Sequence, residues 1–486
     1  MTVTPRVTAE PIEPAESGGA VDPAGRVGPS AAPAGIVLGL ASRLRGTLAL
    51  PSDKSIAHRA LLANAIAAGE AVVTIRSPGD DVLSTASALR SLGVQIGVTS
   101  SGSSRLFRIR GQGSPSAVGA LQAGTADCGN SGTTMRLLCG IATFGSGRIM
   151  LTGDVSLSRR PMERVAVPLR QMWARVATTD GHAPLTIDGR RPLAGKAHSL
   201  PVASAQVLGA ICFAALAADG VTTVAVPGAT RDHSERLLAA MGADIHRVDV
   251  ATGTVTTMRG PGRLRAASFT VPADLSSAAA WLVAATIHPD AELHLTGVGL
   301  NPTRLALLDV LREMGADITV VPSKQPQGPE PVGDLIVRSA AHLRAVSIRG
   351  DRVPALIDEL PLLAVAMAAA QGTSEVRDAG ELRVKESDRI SAMAAALIAA
   401  GARVEEHADG WRITPGRARD AAVTTHGDHR VAIAMAVAAW SGVAKSVTMD
   451  DAACVAVSYP TFWEDAAAVG ALPGSEPLPG NEARPR

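Results

Sequence analysis

The sequence predicts an α/β protein of two similar domains, and three observations carry that prediction. Six Ala/Leu-rich runs each open on a polar residue and lead through a short turn into a β-branched strand; they start at Lys54, Asn130, Ser204, Asp274, Asp358 and Asp428. An amphipathic run followed by Gly and a strand interleaves with them at residues 88–96, 237–245, 311–319 and 396–404. At 486 residues the chain also exceeds one ordinary core. Six copies of a two-helix, several-strand unit are a repeat architecture. The apolar helix of each unit must be buried, and the amphipathic one keeps a polar side. Three copies per domain pack the buried helices inside a ring of sheets.

Outside the repeats, residues 1–34 are rich in Pro, Ala and Gly without periodicity. They read as a disordered tail that turnover does not need. Residues 471–486 read as a flexible C-terminal tail, and the polar, Pro-rich 322–333 as a hairpin loop. Trp173-Ala174-Arg175-Val176 is a degenerate copy of the amphipathic pattern without its glycine, and the sixth copy is not visible.

Composition removes several function classes. The net charge of +1 provides no bulk field for nucleic acid or membrane. Apolar runs such as 278–287 and 431–440 fall short of the ~18 residues that span a bilayer. The four cysteines, Cys128, Cys139, Cys212 and Cys454, have no metal spacing and read as reduced thiols of a cytoplasmic protein. The first residues are partly acidic and lack the apolar stretch of a signal peptide.

The polar helix starts carry the chemistry. Helix N-termini present free N–H groups and roughly half a positive charge, so six converging starts form an anion site. Plain helix capping is the alternative for Ser204, Asp274, Asp358 and Asp428. Lys54, Ser55 and Arg59 fall in the first two turns of a helix, where cations oppose the helix dipole unless an anion lies between them. Gly129 and Gly132 flank Asn130 and allow close approach to backbone N–H groups. Arg159 and Arg160 form a basic pair before a proline, Ser204 and Gln206 offer groups for substrate hydroxyls, and Thr230 is a plausible cap for the helix after Arg231. Five of the seven residues at 383–389 (RVKESDR) are charged. If that stretch opens a helix, Lys385 and Arg389 share one face, with Glu386 beside them. This suits an anionic substrate that also needs a proton moved, the alternative being a solvated helix start.

Taken together, DKSIAHR (53–59), GNSGTTMR (129–136), ASAQ (203–206), TRDHSE (230–235), RVKESDRI (383–390) and GDHRVA (427–432) resemble the 5-enolpyruvylshikimate-3-phosphate synthase family from about residue 36 to 468. TRDHSE, SAQ and the ending VSYP (457–460) are similar to its divergent bacterial class. The resemblance implies the two-domain enolpyruvyl transferase fold, each domain three βαβαββ repeats around buried helices. It also implies two crossings, near residues 51 and 272. Residues 35–50 plus 273–470 would then form one domain and 51–272 the other.

The implied reaction transfers the enolpyruvyl group of phosphoenolpyruvate to the 5-hydroxyl of shikimate 3-phosphate and releases phosphate. No metal or organic cofactor is implied, and no nucleic acid, membrane or partner subunit. By the resemblance, phosphoenolpyruvate is held by Lys54, Asn130, Gly132, Arg160, Gln206, Arg389 and Arg430. Shikimate 3-phosphate is held by Lys54, Ser55, Arg59, Ser204, Ala205, Gln206, Arg231, Asp358 and Lys385. Asp358 takes the hydroxyl proton, and Glu386 donates to the methylene carbon with His429 assisting. Lys54 touches both substrates. Ala205 stands where a second Ser is common, Glu381 where many members carry Asn, and Val457 where some carry Lys. Glyphosate, a phosphonate anion, is expected to compete with phosphoenolpyruvate, Gly132 leaving it room. The cations divide between the two domains, so the facing surfaces are expected to repel until shikimate 3-phosphate bridges them. Two other readings are a UDP-N-acetylglucosamine enolpyruvyl transferase of the same fold, which needs a reactive cysteine on a mobile loop, and a non-catalytic anion-binding repeat scaffold. An RNA-phosphate cyclase of related fold is disfavoured by the neutral charge.

Overall fold

All six apolar runs form buried helices: Lys54–Ile66, Gly132–Ala142, Ala205–Ala215, Leu275–Ile287, Leu360–Ala369 and His429–Trp440. The structure, a computed structural model, describes residues 35–114, 117–324 and 328–472. The expected tail at 1–34 and residues 473–486 of the one expected at 471–486 lie outside the described residues, as do 325–327 of the expected hairpin loop, while Ala471 is buried in the core and not part of a tail. That loop joins two antiparallel strands, Asp317–Pro322 and Val332–Arg338. Each core helix is apolar on every side, so nothing but complete enclosure satisfies it. In Leu275–Ile287 every residue except Ile287 is buried.

Among the described residues the strands make six sheets. In four units the strand entering the core helix lies parallel to the strand leaving it, as Gly124–Asp127 does beside Arg148–Thr152. In the first and fourth units the entering strands are exchanged. Leu44–Leu48 lies beside Ala291–Gly299, and Phe269–Thr270 beside Glu70–Arg76. The buried side chains accordingly fall into two clusters. One runs from Leu38 to Leu50 and from Ala273 to Ala471, the other from Ile56 to Val271. The two connecting passages are bonded side by side: Asp53 N donates to Pro272 O at 2.7 Å, and Asp274 N to Pro51 O at 2.9 Å.

The amphipathic helices Asp80–Ser91, His233–Ala240, Ala306–Met314 and Arg389–Ala400 each give way to a glycine in the left-handed region. These are Gly93 (φ 88°), Gly242 (99°), Gly315 (112°) and Gly401 (106°). Left-handed backbone is strained for residues with a Cβ, hence the glycine after each run. In the degenerate copy Trp173 itself takes φ 70° after Glu163–Gln171. Its ring lies under the Arg190 guanidinium at 5.9 Å and the Lys196 ammonium at 5.4 Å, contacts that offset the strain.

The sixth unit is the one the periodicity does not show. Its second helix is the short Phe462–Ala468, followed by Gly470 at φ 82°. Its sheet is completed by Ile36–Gly39, antiparallel to Ser446–Met449, so the strand comes from the far end of the described chain. Aromatic side chains join that helix to the core. Trp281 and Trp440 stack at 5.8 Å with Phe462 against both, and Tyr459 accepts from Trp281 Nε1 while donating to Asp465.

Candidate active site

Five core helices are capped by the side chain just before them: Asp53, Ser131, Ser204, Asp274 and Asp428. The capping alternative therefore describes Ser204, Asp274 and Asp428. It does not describe Asp358. The residue before Leu360–Ala369 is Glu359, which makes no side-chain cap bond, and Asp358 lies one position earlier. Thr230 is not a cap either; its carbonyl accepts from Arg247, and the next helix begins at His233. The first core helix begins at Lys54 as expected, capped by Asp53, whereas the second begins at Gly132, two residues after Asn130, and is capped by Ser131.

Contacts tie these helix starts together. Arg59, buried, donates through Nε to Ser234 Oγ at 2.7 Å, through Nη1 to the Ser55 carbonyl and through Nη2 to the Ala205 carbonyl. Burial brings the Arg59 guanidinium down to about 10. Arg136 Nη1 donates to Gln206 Oε1 at 2.6 Å, and Gln206 Nε2 to Thr133 Oγ1 at 2.9 Å. Behind them a buried chain of hydroxyls connects three helices. His58 Nδ1 meets Thr85 Oγ1 at 2.6 Å, Thr85 meets Thr134 at 2.6 Å, and Thr134 donates to the capping Ser131 at 2.7 Å. Burial pulls His58 down to about 3, so it is neutral.

Around Gly132 the cations crowd. A Cβ on Gly132 would lie 3.0 Å from Arg136 Nη1 and 3.2 Å from Arg160 Nη1. Burial lowers Arg136 to about 9, and the charges of Arg164 and Arg160 add to that. Among the described residues Arg136, Arg160 and Arg430 make no ion pair. Buried and half-buried guanidiniums beside an open helix N-terminus are a seat for an anion, phosphate or carboxylate. Asn130 is half-buried in the same turn, after Gly129 at φ 56°.

The remaining site residues are paired. Lys54 Nζ donates to Asp81 Oδ2 at 2.8 Å, and Lys385 Nζ to Glu381 Oε1 at 2.6 Å. Arg389 Nη2 donates to Glu386 Oε2 at 2.6 Å, and its Nε to Asp428 Oδ2 at 2.8 Å. Lys385 and Arg389 do not share a helix face. Gly380–Val384 is a 3-10 segment ending before Lys385, and the α-helix begins at Arg389, where Asp388 caps it. His429 is buried, and its burial with the charges of Arg430, Arg389 and Lys54 holds it neutral.

Between the two hydrophobic clusters, Arg231 Nη2 donates to Asp358 Oδ2 at 2.6 Å. Burial alone would raise the Asp358 carboxyl, but Arg231, Arg430, Lys385 and Arg304 outweigh it and hold it well below the ordinary range. Beside this pair, His233 Nδ1 meets Glu330 Oε1 at 2.7 Å, and Asn301 Nδ2 donates to Asp232 Oδ1 at 2.6 Å and Glu330 Oε2 at 2.8 Å. The expected mutual repulsion of two cationic faces is thus not what the structure shows. Asp358 and Glu330 of the 273–470 stretch lie opposite Arg231 and His233 of the other, and Asn301 donates to Asp232. Arg136, Asp81, Glu330 and Arg304 escaped the sequence reading. For Arg136 a signal existed, since it lies one helical turn past Gly132 on the same face.

The model of the EPSP synthase (3-phosphoshikimate 1-carboxyvinyltransferase) family matches residues 40–466. The chain belongs to the EPSP synthase family. The 3-phosphoshikimate 1-carboxyvinyltransferase of Gloeobacter violaceus is 49% identical over 437 residues, covering 88% of this chain and 97% of its own. That of Chloroflexus aurantiacus is 46% identical, covering 90% and 99%. The solved EPSP synthase of Acinetobacter baumannii superposes with TM-score 0.79 at 37% identity, over 89% of this chain and 98% of its own. The enolpyruvyl transferase NikO from Streptomyces tendae, at 18% identity and TM-score 0.65, shares the fold.

Proposed function

We infer that this chain transfers the enolpyruvyl group of phosphoenolpyruvate to the 5-hydroxyl of shikimate 3-phosphate, releasing phosphate, on the route to chorismate and the aromatic amino acids. The observation that carries the reading is the seat at Gly132, where Arg136 and Arg160 crowd a helix N-terminus without a carboxylate partner. Arg160, Arg430 and Arg389 hold phosphoenolpyruvate there with Lys54, Asn130, Gly132 and Gln206. Arg231, Lys385, Arg59, Ser55, Ser204, Ala205 and Gln206 hold shikimate 3-phosphate. Asp358, ionised among its cations, takes the 5-hydroxyl proton as the oxygen attacks C2 of phosphoenolpyruvate. Glu386 supplies the proton that the methylene carbon gains, with the neutral His429 assisting. Phosphate then leaves the tetrahedral intermediate as the methyl carbon gives its proton back. Guanidiniums fixed in advance stabilise the charge that collects on the departing phosphate.

Two domains, 35–50 with 273–470 and 51–272, each of three βαβαββ units, form the cleft in this reading; the two hydrophobic clusters and the exchanged strands support it. A cytoplasmic monomer is part of the same reading, and the four free, buried cysteines support a reducing compartment. The rival amino-sugar transferase needs a reactive thiol. Cys128 and Cys139 are buried, and burial pushes both thiols up, away from the thiolate form. The test is phosphate release from phosphoenolpyruvate. Shikimate 3-phosphate should support it and UDP-N-acetylglucosamine should not; the reverse preference would overturn the reading.

A further inference from the structure

The link that carries Lys385 and Glu386 has no packing of its own. None of residues 384–388 is buried, and Val384 at its head is 80% exposed. Leu382 before the link and Arg389 after it are buried, so it crosses open ground between two fixed points. A segment with few buried apolar contacts opens locally at little cost. Polar contacts must therefore fix the two side chains it presents.

Arg383 supplies those contacts. Its Nη1 donates to Asp388 Oδ2 at 2.7 Å and Ser391 Oγ at 3.1 Å. Its Nη2 donates to Glu406 Oε1 at 2.9 Å and the His407 carbonyl at 2.8 Å, and its Nε to the Ala408 carbonyl at 2.7 Å. A guanidinium has five N–H groups, and all five are used. None is left for a substrate. The partners lie at both ends of the link and on one hairpin, Arg403–His407 with Gly410–Thr414. Asp388 closes the link and caps the next helix through its other oxygen, which accepts from Ile390 N and Ser391 N. Ser391 Oγ also donates to Glu406 Oε1 at 2.7 Å, so Arg383, Asp388, Ser391 and Glu406 form a closed ring. The same hairpin holds the flanks of the link: Asp378 N donates to Asp409 Oδ2, Ala379 N to the Asp409 carbonyl, and Trp411 Nε1 to the Ile390 carbonyl.

We propose that Arg383 is a positioning residue for the reaction, the fork that ties both ends of the 384–388 link to the 403–414 hairpin and so sets where Lys385 and Glu386 stand. The proposal rests on the reading of Lys385 as a ligand of shikimate 3-phosphate and Glu386 as the proton donor. Arg389 depends on Arg383 less, since Asp428 holds its guanidinium directly.

The experiment pairs calorimetric titration with shikimate 3-phosphate and kcat for phosphate release at saturating substrates, on the full chain, for the parent, Arg383→Lys, Glu406→Ala and Glu386→Gln. The binding stoichiometry counts competent sites, so kcat is expressed per site. A lysine brings one ammonium with three donors and cannot serve five acceptors. With Arg383→Lys, kcat per site should fall about tenfold or more, because a small misplacement of a catalytic group is costly. The Kd for shikimate 3-phosphate should rise about threefold or more as Lys385 shifts. A purely structural part for Arg383 would lower the stoichiometry and leave both values as in the parent. Glu406→Ala removes the acceptor that Arg383 shares with Ser391 and should lower kcat per site by about threefold or more, which carries the test if Arg383→Lys fails to fold. Either value unchanged in Arg383→Lys overturns the proposal, as does unchanged kcat per site in Glu406→Ala. Near-parental kcat in Glu386→Gln removes the proton donor itself, and the proposal with it.

Discussion

Arg231 and Asp358 form a 2.6 Å ion pair although they lie on the chain stretches that build different hydrophobic clusters, 127 residues apart in sequence. The pair joins a residue assigned to shikimate 3-phosphate with the residue assigned to its proton. Binding must replace this bond with bonds to substrate, so the pair is both a clasp and a competitor.

Arg231→Ala should weaken shikimate 3-phosphate binding about ten- to hundredfold, the range of one charge-assisted hydrogen bond. It should also raise the acid limb of kcat. Asp358 is held low chiefly by Arg231, so losing that charge lets the carboxyl protonate at higher pH. Calorimetric titration and a pH–rate profile measure the two effects separately. Unchanged affinity would remove Arg231 from the substrate site.

Gly132→Ala places a methyl group against Arg136 and Arg160, at separations that require the guanidiniums to shift. The KM for phosphoenolpyruvate should rise. Inhibition by glyphosate, competitive with phosphoenolpyruvate in the parent, should weaken by about tenfold or more, because an inhibitor of fixed shape depends on the open space over the glycine. Equal inhibition of parent and variant would contradict the steric account.

His58 sets an acid limit on stability. Its ordinary value is 6.5 and its folded value about 3. Between those limits the unfolded chain binds a proton that the folded chain refuses. Stability is therefore full above about pH 6.5 and lost as pH falls toward 3, by about 3 kcal/mol at pH 4. His58→Asn keeps a partner for Thr85 and removes the titration. Urea unfolding at pH 7 and pH 4 should show a smaller loss in the variant than in the parent. Identical losses would mean that His58 does not carry the effect.

The helix starts were legible because capping is local: a Ser or Asp before an Ala/Leu run announces the helix within a few residues. The glycine after each amphipathic run was legible for the same reason. Trp173 hid its copy by taking a glycine's backbone angle with cations stacked on its ring. The sixth unit hid because its closing strand, Ile36–Gly39, lies hundreds of residues from the rest of it. The charged stretch 383–389 was visible, but its helix began four residues later than the shared-face reading needs. Glu330 and Arg304 gave no signal. Their partners, His233 and Asp274 among them, are fixed by tertiary contact, which no local spacing encodes.

The central claim is that Asp358 accepts the 5-hydroxyl proton. Asp358→Asn preserves shape and removes the base, and the measurement is kcat for phosphate release at saturating phosphoenolpyruvate and shikimate 3-phosphate, with substrate affinity determined alongside. The account predicts a fall in kcat of about 10²-fold or more with both substrates still bound. A kcat near that of the parent would contradict it and leave Asp358 as no more than the partner of Arg231.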